Sequence, residues 1–339
     1  MSQQLCFVLT SDGRDVYADM TLISAQFARR ANSNISIVIL CDEESARCLK
    51  QEQNRLVAHI DELVAVPTPP GKPGFRNRFV KTQMRRHLKG PFLYLDADTL
   101  VLKPLDEIFS CNSALAAVSN WNGPANPCEL YADDRAVFHQ LGWPIPQNYY
   151  INGGVLYLAD NEESHRFCET WHAKWQMASK LTGKYYDQPS LNSALNESAS
   201  NFLLLNHRYN AQVNFTPRSA PGAAIWHIYH SKPLPSPRNV LETCLVAVQR
   251  NGVVPDGLID SICQRNHPWR IDNLIDLIAV RAILRHPSLL PGDSFYRLWL
   301  SREYGCLLER ASQRTRAVFK RACRRAIGKL DELLVIEKS

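Results

Sequence analysis

The sequence lacks a long, uninterrupted apolar run. Its longest apolar stretches, such as Leu274–Leu284, contain charged residues and are far shorter than the roughly 20 residues that span a bilayer. The apolar segment Leu5–Leu9 is too short for a secretory signal and has no basic residues before it. We therefore expect the protein to stay in the cytoplasm, where it is made.

Paired cysteine motifs are also lacking. The chain has 10 cysteines, but no two of them form a C-x-x-C pair, so the sequence supports neither a structural zinc site nor a thioredoxin-like motif. Cys6 and Cys41 lie inside apolar runs, which is typical of reduced, buried thiols.

Acidic residues are absent from one segment, Arg310–Lys329, which contains eight basic residues. The whole chain carries +6 and this segment +8, which leaves −2 for the remainder. A mildly acidic body argues against nucleic acid as a partner. Apolar residues recur at helical spacing within 310–330, so we predict a basic amphipathic helix that binds an anionic membrane surface on the cytoplasmic face. The alternative is that the apolar stripe packs on the body.

The first half of the chain alternates strand and helix patterns. Strands are predicted at Leu5–Thr10, Ile35–Cys41 and Phe92–Leu95, and helices at Tyr17–Ala31, Glu43–Asn54 and Phe79–Leu88. Continuous apolar strands that alternate with helices predict an α/β sheet covered on both faces. Ligands of such sheets bind beyond the carboxyl ends of the strands.

The second half begins with a stretch rich in proline and glycine, Asn120–Gln147, which we expect to be a binding loop. It is followed by predicted strands at Tyr150–Leu158 and Ala223–Tyr229 and predicted helices at Asn161–Lys180 and Asp187–Leu195. The proline-rich run Lys232–Arg238 predicts a boundary near residue 235, between an α/β domain at 1–235 and a helical extension at 236–339.

The segment Phe92–Leu102 reads F-L-Y-L-D-A-D-T-L-V-L. Residues i and i+2 of an extended strand share a face, so Asp96 and Asp98 project to the same side. Two carboxylates placed together repel each other unless a cation lies between them, and divalent cations prefer oxygen ligands. The alternative is a polar turn after a strand.

This segment resembles the metal-binding motif of GT-A type nucleotide-sugar transferases, and it is most similar to glycosyltransferase family 8, the glycogenin-like retaining enzymes. Ile151–Val155 is similar to the N-[SAG]-G-V strand of that family, and Asp187–Asn192 matches its D-Q-x-x-L-N pattern. His227, with Lys232 and the following proline, resembles its H-x-x-G-x-x-K-P motif. The resemblance implies a GT-A type, Rossmann-like mixed sheet with flanking helices.

The resemblance also implies a metal site made by Asp96, Asp98 and His227. Imidazole suits Mn²⁺ better than Mg²⁺, so Mn²⁺ is the expected cofactor, with Mg²⁺ possible. Lys232 would place a positive charge on the diphosphate of the donor, and Asp96 is also expected to be a donor-binding residue. His227 and Lys232 are five residues apart, not six as in the family, so His230 is an alternative ligand. His227 could instead be a core histidine.

By the same resemblance, Asp187 and Gln188 flank the donor sugar and are the expected catalytic residues. Two retaining routes remain open: a carboxylate attacks first, or the acceptor enters on the face that the diphosphate leaves. Asp187 is the better nucleophile, because the amide oxygen of Gln188 is weakly basic. The alternative is that Asp187 only caps a helix.

The N-terminal strand ends in Thr10 and Asp12, and Tyr17 follows, a pattern similar to the family's T-N-D-x-x-Y. The resemblance implies that Asp12 accepts a hydrogen bond from uracil and that Tyr17 stacks on the base. The alternative is an ordinary turn between a strand and a helix.

Lys81 occupies the place of a basic residue on the family's helix before the metal-binding strand. Asn152 is expected to contact the donor sugar or the acceptor, and Gly153 to permit their close approach. The alternative for Lys81 is a solvated basic helix face.

Together these features predict a metal-dependent, retaining hexosyl transfer from a nucleotide-diphosphate sugar, with uridine the expected nucleoside. The acceptor would be a hydroxyl of a carbohydrate, lipid-linked or protein molecule. One alternative is a sugar-nucleotide nucleotidyltransferase, although Thr10–Asp15 lacks the expected glycine- and arginine-rich loop. Another is a non-catalytic module that binds nucleotide sugars.

Overall fold

The computed structural model describes residues 3–13, 15–51, 54–120, 130, 132–198, 201–229 and 239–285. The chain divides into two compact units, of which one comprises 1–231 with 239–268 and the other 232–238 with 269–339. Some parts of the sequence prediction lie outside the described residues: His230, Lys232 and the predicted basic segment 310–330.

The strands of the described part form two sheets. They are β1 (Gln4–Leu9), β2 (Ser36–Asp42), β3 (Glu62–Val66), β4 (Phe92–Leu95), β5 (Thr99–Val101), β6 (Leu115–Ser119), β7 (Ile151–Leu158), β8 (Phe202–Leu204), β9 (Ala211–Gln212) and β10 (Ile225–His227). The larger sheet has the order β3-β2-β1-β4-β7-β6-β8, and the smaller one has the order β5-β10-β9.

Helices flank the larger sheet. The helices of the first unit are α1 (Val16–Ala31), α2 (Glu43–Gln51), α3 (Pro73–Lys81), α4 (Met84–His87), α5 (Asp106–Phe109), α6 (Ala132–Leu141), α7 (Glu162–Thr182), α8 (Gln188–Ser198), α9 (Val240–Asn251) and α10 (Asp256–Cys263). The second unit contributes α11 (Leu274–Arg285) to the described residues. The predicted mixed α/β fold with flanking helices is confirmed.

The strand directions bring three chain segments to one edge of the larger sheet. β1 is parallel to β2 and β4, whereas β7 is antiparallel to β4. The carboxyl ends of β1 and β4 therefore meet the amino end of β7. As a result, Thr10 after β1, Asp96 after β4 and Asn152 at the start of β7 belong to the same edge.

The smaller sheet adds a fourth segment to this edge. β10 is antiparallel to β5 and places His227 opposite Thr99. The backbone N–H of Ile228 donates to the carbonyl of Asp98 at 2.9 Å. Backbone pairing therefore holds His227 beside the two aspartates, although these residues lie far apart in the sequence.

Two segments differ from the sequence prediction. The helix predicted at Phe79–Leu88 is divided into α3 and α4, and the Thr82 hydroxyl between them bonds back to the carbonyl of Arg78 at 2.9 Å. The loop predicted at Asn120–Gln147 contains α6, whose buried Phe138 packs against neighbouring aromatic rings. Tertiary packing of α6 therefore outweighs the turn-forming residues around it.

The helices after residue 239 begin within the first unit. Asn239 caps α9 by accepting from the N–H of Glu242 at 3.1 Å, and Gly252 ends the helix in a left-handed conformation. Arg55 donates to the carbonyl of Val248 at 2.8 Å, and Arg30 makes two 2.7 Å hydrogen bonds to Asp260. These contacts join α9 and α10 to the body that carries the sheet.

The domain boundary predicted near residue 235 falls within 230–238, outside the described residues, and it stays a prediction.

Among the described helices, none combines the length and the apolar character that a bilayer crossing requires.

His172 of α7 is buried against α3. Its Nδ1 lies 2.8 Å from the Thr82 hydroxyl, and its ring meets the edge of Phe79 and stacks on Trp175. Burial, and to a lesser extent the charge of Arg86, lowers the pKa of His172 from 6.5 to about 4. The folded protein therefore holds His172 neutral, whereas the unfolded chain protonates it near pH 6.5.

We expect His172→Gln to remove part of the acid sensitivity of the fold. Since the folded pKa is the lower one, the stability linked to neutral His172 is complete above pH 6.5 and is lost as the pH falls toward 4. The difference between the two pKa values corresponds to at most about 3 kcal/mol. Urea unfolding at several pH values would show wild type losing more stability than the variant over this range. A stability gap that does not change with pH would contradict the assignment.

Candidate active site

Two adjoining clefts open at the edge where the four segments meet. The larger has a volume of about 660 Å³ and the smaller about 370 Å³. Both are lined by Arg78, Asp96 and Tyr186. The larger cleft extends to Thr10 and Tyr17, and the smaller one extends to the start of α8.

Asp96, Asp98 and His227 form a cluster with the character of a metal site. Each offers one ligand atom, and these atoms lie within 4.8 Å of one another. The Nε2 atom of His227 is 3.1 Å from Oδ1 of Asp98 and 3.9 Å from Oδ2 of Asp96. Two carboxylates and one imidazole are a donor set that fits a transition-metal dication such as Mn²⁺.

The two oxygens of Asp96 have different surroundings. Oδ1 accepts from the Tyr94 hydroxyl and lies 3.3 Å from Nζ of Lys81, whereas Oδ2 faces His227. Burial alone would raise the pKa of Asp96, but Lys81, His227 and Arg78 outweigh it and hold the pKa below its ordinary value. The carboxylate therefore stays charged, with one oxygen directed toward the cluster.

His227 is almost fully buried, with 1% of its surface exposed. Burial would lower its pKa, but the charges of Asp98 and Asp96 outweigh that effect and raise the pKa above its ordinary value. His227 thus lies beside both aspartates, and its role as a metal ligand stays a prediction.

Gly154 permits the close approach of the cluster to β7. The N–H of Asp96 donates to the carbonyl of Gly154 at 2.8 Å. A Cβ added to Gly154 would lie 2.4 Å from Cε1 of His227 and 2.8 Å from Oδ2 of Asp96. The sequence singled out Gly153, where an added Cβ would meet Cδ2 of Leu191 at 3.1 Å. The tighter approach is therefore at the second glycine of the pair.

Asp187 lies between two cations. Its Oδ2 is 3.1 Å from Nζ of Lys81 and its Oδ1 is 3.0 Å from Nε of Arg78. Burial would raise the pKa of Asp187, but Lys81 and Arg78 outweigh it and lower the pKa. The backbone carbonyl of Asp187 begins the hydrogen bonding of α8, accepting from the N–H of Leu191 at 2.9 Å. Asp187 thus starts a helix with its backbone while its carboxylate faces the site.

Arg78 and Arg85 lie three residues before and four residues after Lys81 in the sequence. Of the two, Arg78 reaches the site, although no motif identifies it. Residues three apart in a helix share a face, so the spacing of Arg78 and Lys81 predicts that both lie on one side of α3. Arg85, the other basic neighbour, has a structural role, because its guanidinium donates to the carbonyls of Leu88, Gly90 and Ala159.

The predicted donor-binding residues are only partly brought together. Thr10 and Tyr17 line the larger cleft, and the hydroxyl oxygen of Thr10 is buried with no hydrogen-bond partner among the described residues. Tyr17 is 54% exposed. Asp12 lies on the loop before α1, where its N–H donates to Asp15 at 3.2 Å, and it is not among the residues that line either cleft.

Gln188, Asn152 and Gly153 line the smaller cleft together with Asp187. The sequence did not point to two further residues here. Tyr229 stacks on His227, with ring centroids 4.2 Å apart and an interplanar angle of 12°, and Asn210 contacts Nδ1 of His227 at 3.0 Å. Asn210 lies outside the motifs and Tyr229 occupies a variable position of the His227 motif, so only the fold reveals their contacts with His227.

The family model of nucleotide-diphospho-sugar transferases matches residues 34–233, which is more than half of the chain. The chain belongs to this family. The matched range includes the predicted metal cluster and Asp187. The resemblance to nucleotide-sugar transferases found in the sequence is therefore confirmed.

Solved structures of other transferases are similar to this nucleotide-diphospho-sugar transferase. The galactosyltransferase LgtC, solved with donor and acceptor sugar analogues, is 16% identical with a TM-score of 0.50, over 75% of this chain and 98% of that one. The glycosyltransferase GlyE of Streptococcus pneumoniae is 17% identical with a TM-score of 0.48, over 77% and 63%. Mouse xyloside xylosyltransferase 1 is 13% identical with a TM-score of 0.47, over 69% and 100%.

At 16% identity, the likeness to LgtC shows a shared fold. No curated protein sequence matches this chain.

We expect Gly154→Ala to weaken the binding of Mn²⁺ strongly, because the added methyl group displaces His227 and Asp96. Loss of a residue that only supports a metal ligand commonly costs about 10- to 100-fold in affinity, and displacement of the ligands themselves should cost at least as much. The matched control is Gly153→Ala, whose methyl group meets only the end of the Leu191 side chain within 3.4 Å. Free Mn²⁺ measured by electron paramagnetic resonance would give both affinities. Equal affinities for the two variants would contradict the role of Gly154.

Proposed function

We propose that this nucleotide-diphospho-sugar transferase moves a hexosyl group from a uridine-linked diphosphate sugar to an acceptor hydroxyl, with retention and with a divalent cation. One observation carries the proposal: the ligand atoms of Asp96, Asp98 and His227 lie within 4.8 Å of one another where two clefts meet. The family match supports the donor class.

The cation would be held by Asp96, Asp98 and His227, with Mn²⁺ favoured by the mixed oxygen and nitrogen donors. When bound there, it supplies a Lewis acid that offsets the negative charge developing on the diphosphate as the sugar departs. Lys232, expected from its motif to contact the diphosphate, remains part of the proposal. The described residues contribute Lys81 and Arg78 as further positive charges.

The nucleoside would occupy the larger cleft. The unpaired hydroxyl of Thr10 offers a hydrogen bond there, and the exposed ring of Tyr17 offers a stacking surface. Asp12, on the same loop, remains the proposed partner of the uracil N–H. The diphosphate would then extend toward Asp96 and Asp98, which line the same cleft.

The donor sugar and the acceptor would meet in the smaller cleft, beside Asp187 and Gln188. Lys81 and Arg78 lie at 3.1 and 3.0 Å from the carboxylate of Asp187, which lowers its nucleophilicity. This pairing favours the route in which the acceptor enters on the face that the diphosphate leaves. In that route Asp187 binds and orients the sugar, and Gln188 contacts it from the start of α8.

We expect Asp98→Asn to lower the turnover by on the order of 100-fold or more, since a cation at this position supplies several kcal/mol of charge stabilisation. The amide is a weaker ligand than a carboxylate of the same shape. Diphosphate release from uridine-linked sugars with Mn²⁺ would be measured. The matched control is Asp256→Asn at an exposed position of α10. Full turnover by a folded Asp98→Asn protein would remove the metal assignment.

We expect the first product to keep the anomeric configuration of the donor. The match of Asp187–Asn192 to a retaining family and the position of Asp187 beside the smaller cleft motivate this expectation. Nuclear magnetic resonance of the anomeric proton early in the reaction would decide it, before any spontaneous anomerisation. An inverted product would exclude both proposed routes.

A further inference from the structure

Tyr186 presents an exposed aromatic ring where the two clefts meet. It lines both clefts, and 60% of its surface is exposed. An aromatic side chain in a cleft leaves apolar surface in contact with water, and a ligand that packs against the ring removes this contact. Tyr17 supplies the ring for the proposed nucleoside, which leaves the ring of Tyr186 for a second ligand.

The backbone on both sides of Tyr186 is held by two tryptophans of α7. The indole N–H of Trp175 donates to the carbonyl of Tyr185 at 3.3 Å, and that of Trp171 donates to the carbonyl of Asp187 at 3.3 Å. The exposed ring therefore extends from a fixed segment of backbone. A fixed support lowers the entropy that a ligand must offset when it orders the residues it contacts.

Asp134, in the first turn of α6, lines the smaller cleft together with Tyr186. Its residue surface is only 8% exposed, and its Oδ2 accepts from the hydroxyl of Tyr150 at 2.9 Å. Among the described residues, no lysine or arginine pairs with Asp134, whereas Asp96 and Asp187 both have such partners. The carboxylate of Asp134 is thus a buried anion without a cation beside it.

This carboxylate has capacity for a further hydrogen bond. Burial raises the pKa of Asp134, the bond from Tyr150 offsets part of this effect, and the charges of Asp133 and Asp187 add to it. A buried carboxylate requires hydrogen-bond donors in place of the water it has lost. Its oxygens can accept more than the one bond that Tyr150 supplies, so a ligand hydroxyl in the smaller cleft would provide another.

An aromatic face and a carboxylate in one cleft suit a pyranose ring. The faces of a pyranose carry C–H groups that pack against an aromatic ring, and its edge carries hydroxyl groups that donate to a carboxylate. A serine or threonine side chain has no comparable apolar face.

The charge of the cleft wall restricts the pyranose further. Asp133 also lines the smaller cleft, and its 3.9 Å contact with Lys184 is exposed and therefore contributes little. The wall formed by α6 thus carries two acidic side chains, Asp133 and Asp134. It would repel a uronate or a phosphorylated sugar, and it would accept a neutral one.

We propose that Tyr186 and Asp134 form an acceptor subsite for a neutral pyranose, whose ring packs on Tyr186 while one of its hydroxyl groups donates to Asp134. The inference rests on the proposed function, because it assumes that the acceptor enters the smaller cleft. Binding at this subsite involves no transfer step, so it can be measured without a donor sugar.

Saturation-transfer difference nuclear magnetic resonance of the full chain tests the subsite. The probes are the methyl glycosides of glucose, galactose and mannose, with uridine diphosphate and Mg²⁺ present, since Mn²⁺ is paramagnetic. At least one probe should bind, with the strongest saturation on the C–H protons of one ring face. Tyr186→Ala should weaken its binding about 10-fold, the scale of an aromatic contact and its buried area. Tyr186→Phe keeps the ring and should retain the affinity.

Asp134→Asn should weaken the binding of the same probe about 10- to 100-fold, the scale of a hydrogen bond to a charged group. The methyl uronide of that sugar should bind to wild type more weakly than the neutral glycoside, and Asp134→Asn should narrow this difference. A role of Asp134 in packing alone would not change the preference. The controls Met177→Ala and Asp256→Asn, at exposed positions outside both clefts, should bind the probes as wild type does.

Failure of all three glycosides to bind would overturn the subsite, as would wild-type affinity in folded Tyr186→Ala or Asp134→Asn. A uronide that binds as tightly as the neutral glycoside would overturn the preference for a neutral ring. If binding follows the expected pattern while no uridine-linked sugar releases its diphosphate, the subsite is supported and the proposed function fails. If the donor is turned over while both variants bind the probes like wild type, the proposed function stands and the subsite fails.

Discussion

Lys81 lies buried between two carboxylates, 3.3 Å from Asp96 and 3.1 Å from Asp187, with 2% of its surface exposed. Without a positive charge here, the partly exposed carboxylate of Asp96 and the buried carboxylate of Asp187 would repel each other, and their pKa values would rise. With Lys81 and Arg78 present, both carboxylates have lowered pKa values. This pairing allows the larger sheet to end in a cluster of acids and links the metal cluster to the start of α8.

The second constraint is space. β7 passes the cluster so closely that a side chain on Gly154 would overlap His227 and Asp96. The carbonyl of Gly154 accepts from the N–H of Asp96, and the N–H of Gly154 donates to Oδ1 of Asn152. One glycine therefore provides the room for the cluster and two backbone hydrogen bonds beside it. At the end of a strand, some backbone N–H and C=O groups are not used in strand pairing, so they are available to hydrogen-bond side chains such as that of Asn152.

Much of the architecture could be predicted from local pattern. The predicted strand at Phe92–Leu95 coincides with β4, and the buried strands β1 and β2 lie within one residue of their predicted ends. Short strands such as β5 and β9 have too few residues to show a period, and α6 is surrounded by turn-forming residues. These elements depend on contacts with distant parts of the chain, which a local pattern does not contain.

The sequence by itself determined the chemistry of the site: the paired acids Asp96 and Asp98, the basic residue Lys81, and the segment that begins at Asp187. Motifs identify such residues because their order and spacing along the chain are visible. Only the tertiary structure decided that Arg78 pairs with Asp187, that Gly154 makes the closest approach, and that Asn210 and Tyr229 surround His227. These relations join residues far apart in the chain, because strand pairing, not sequence spacing, sets the distances between them.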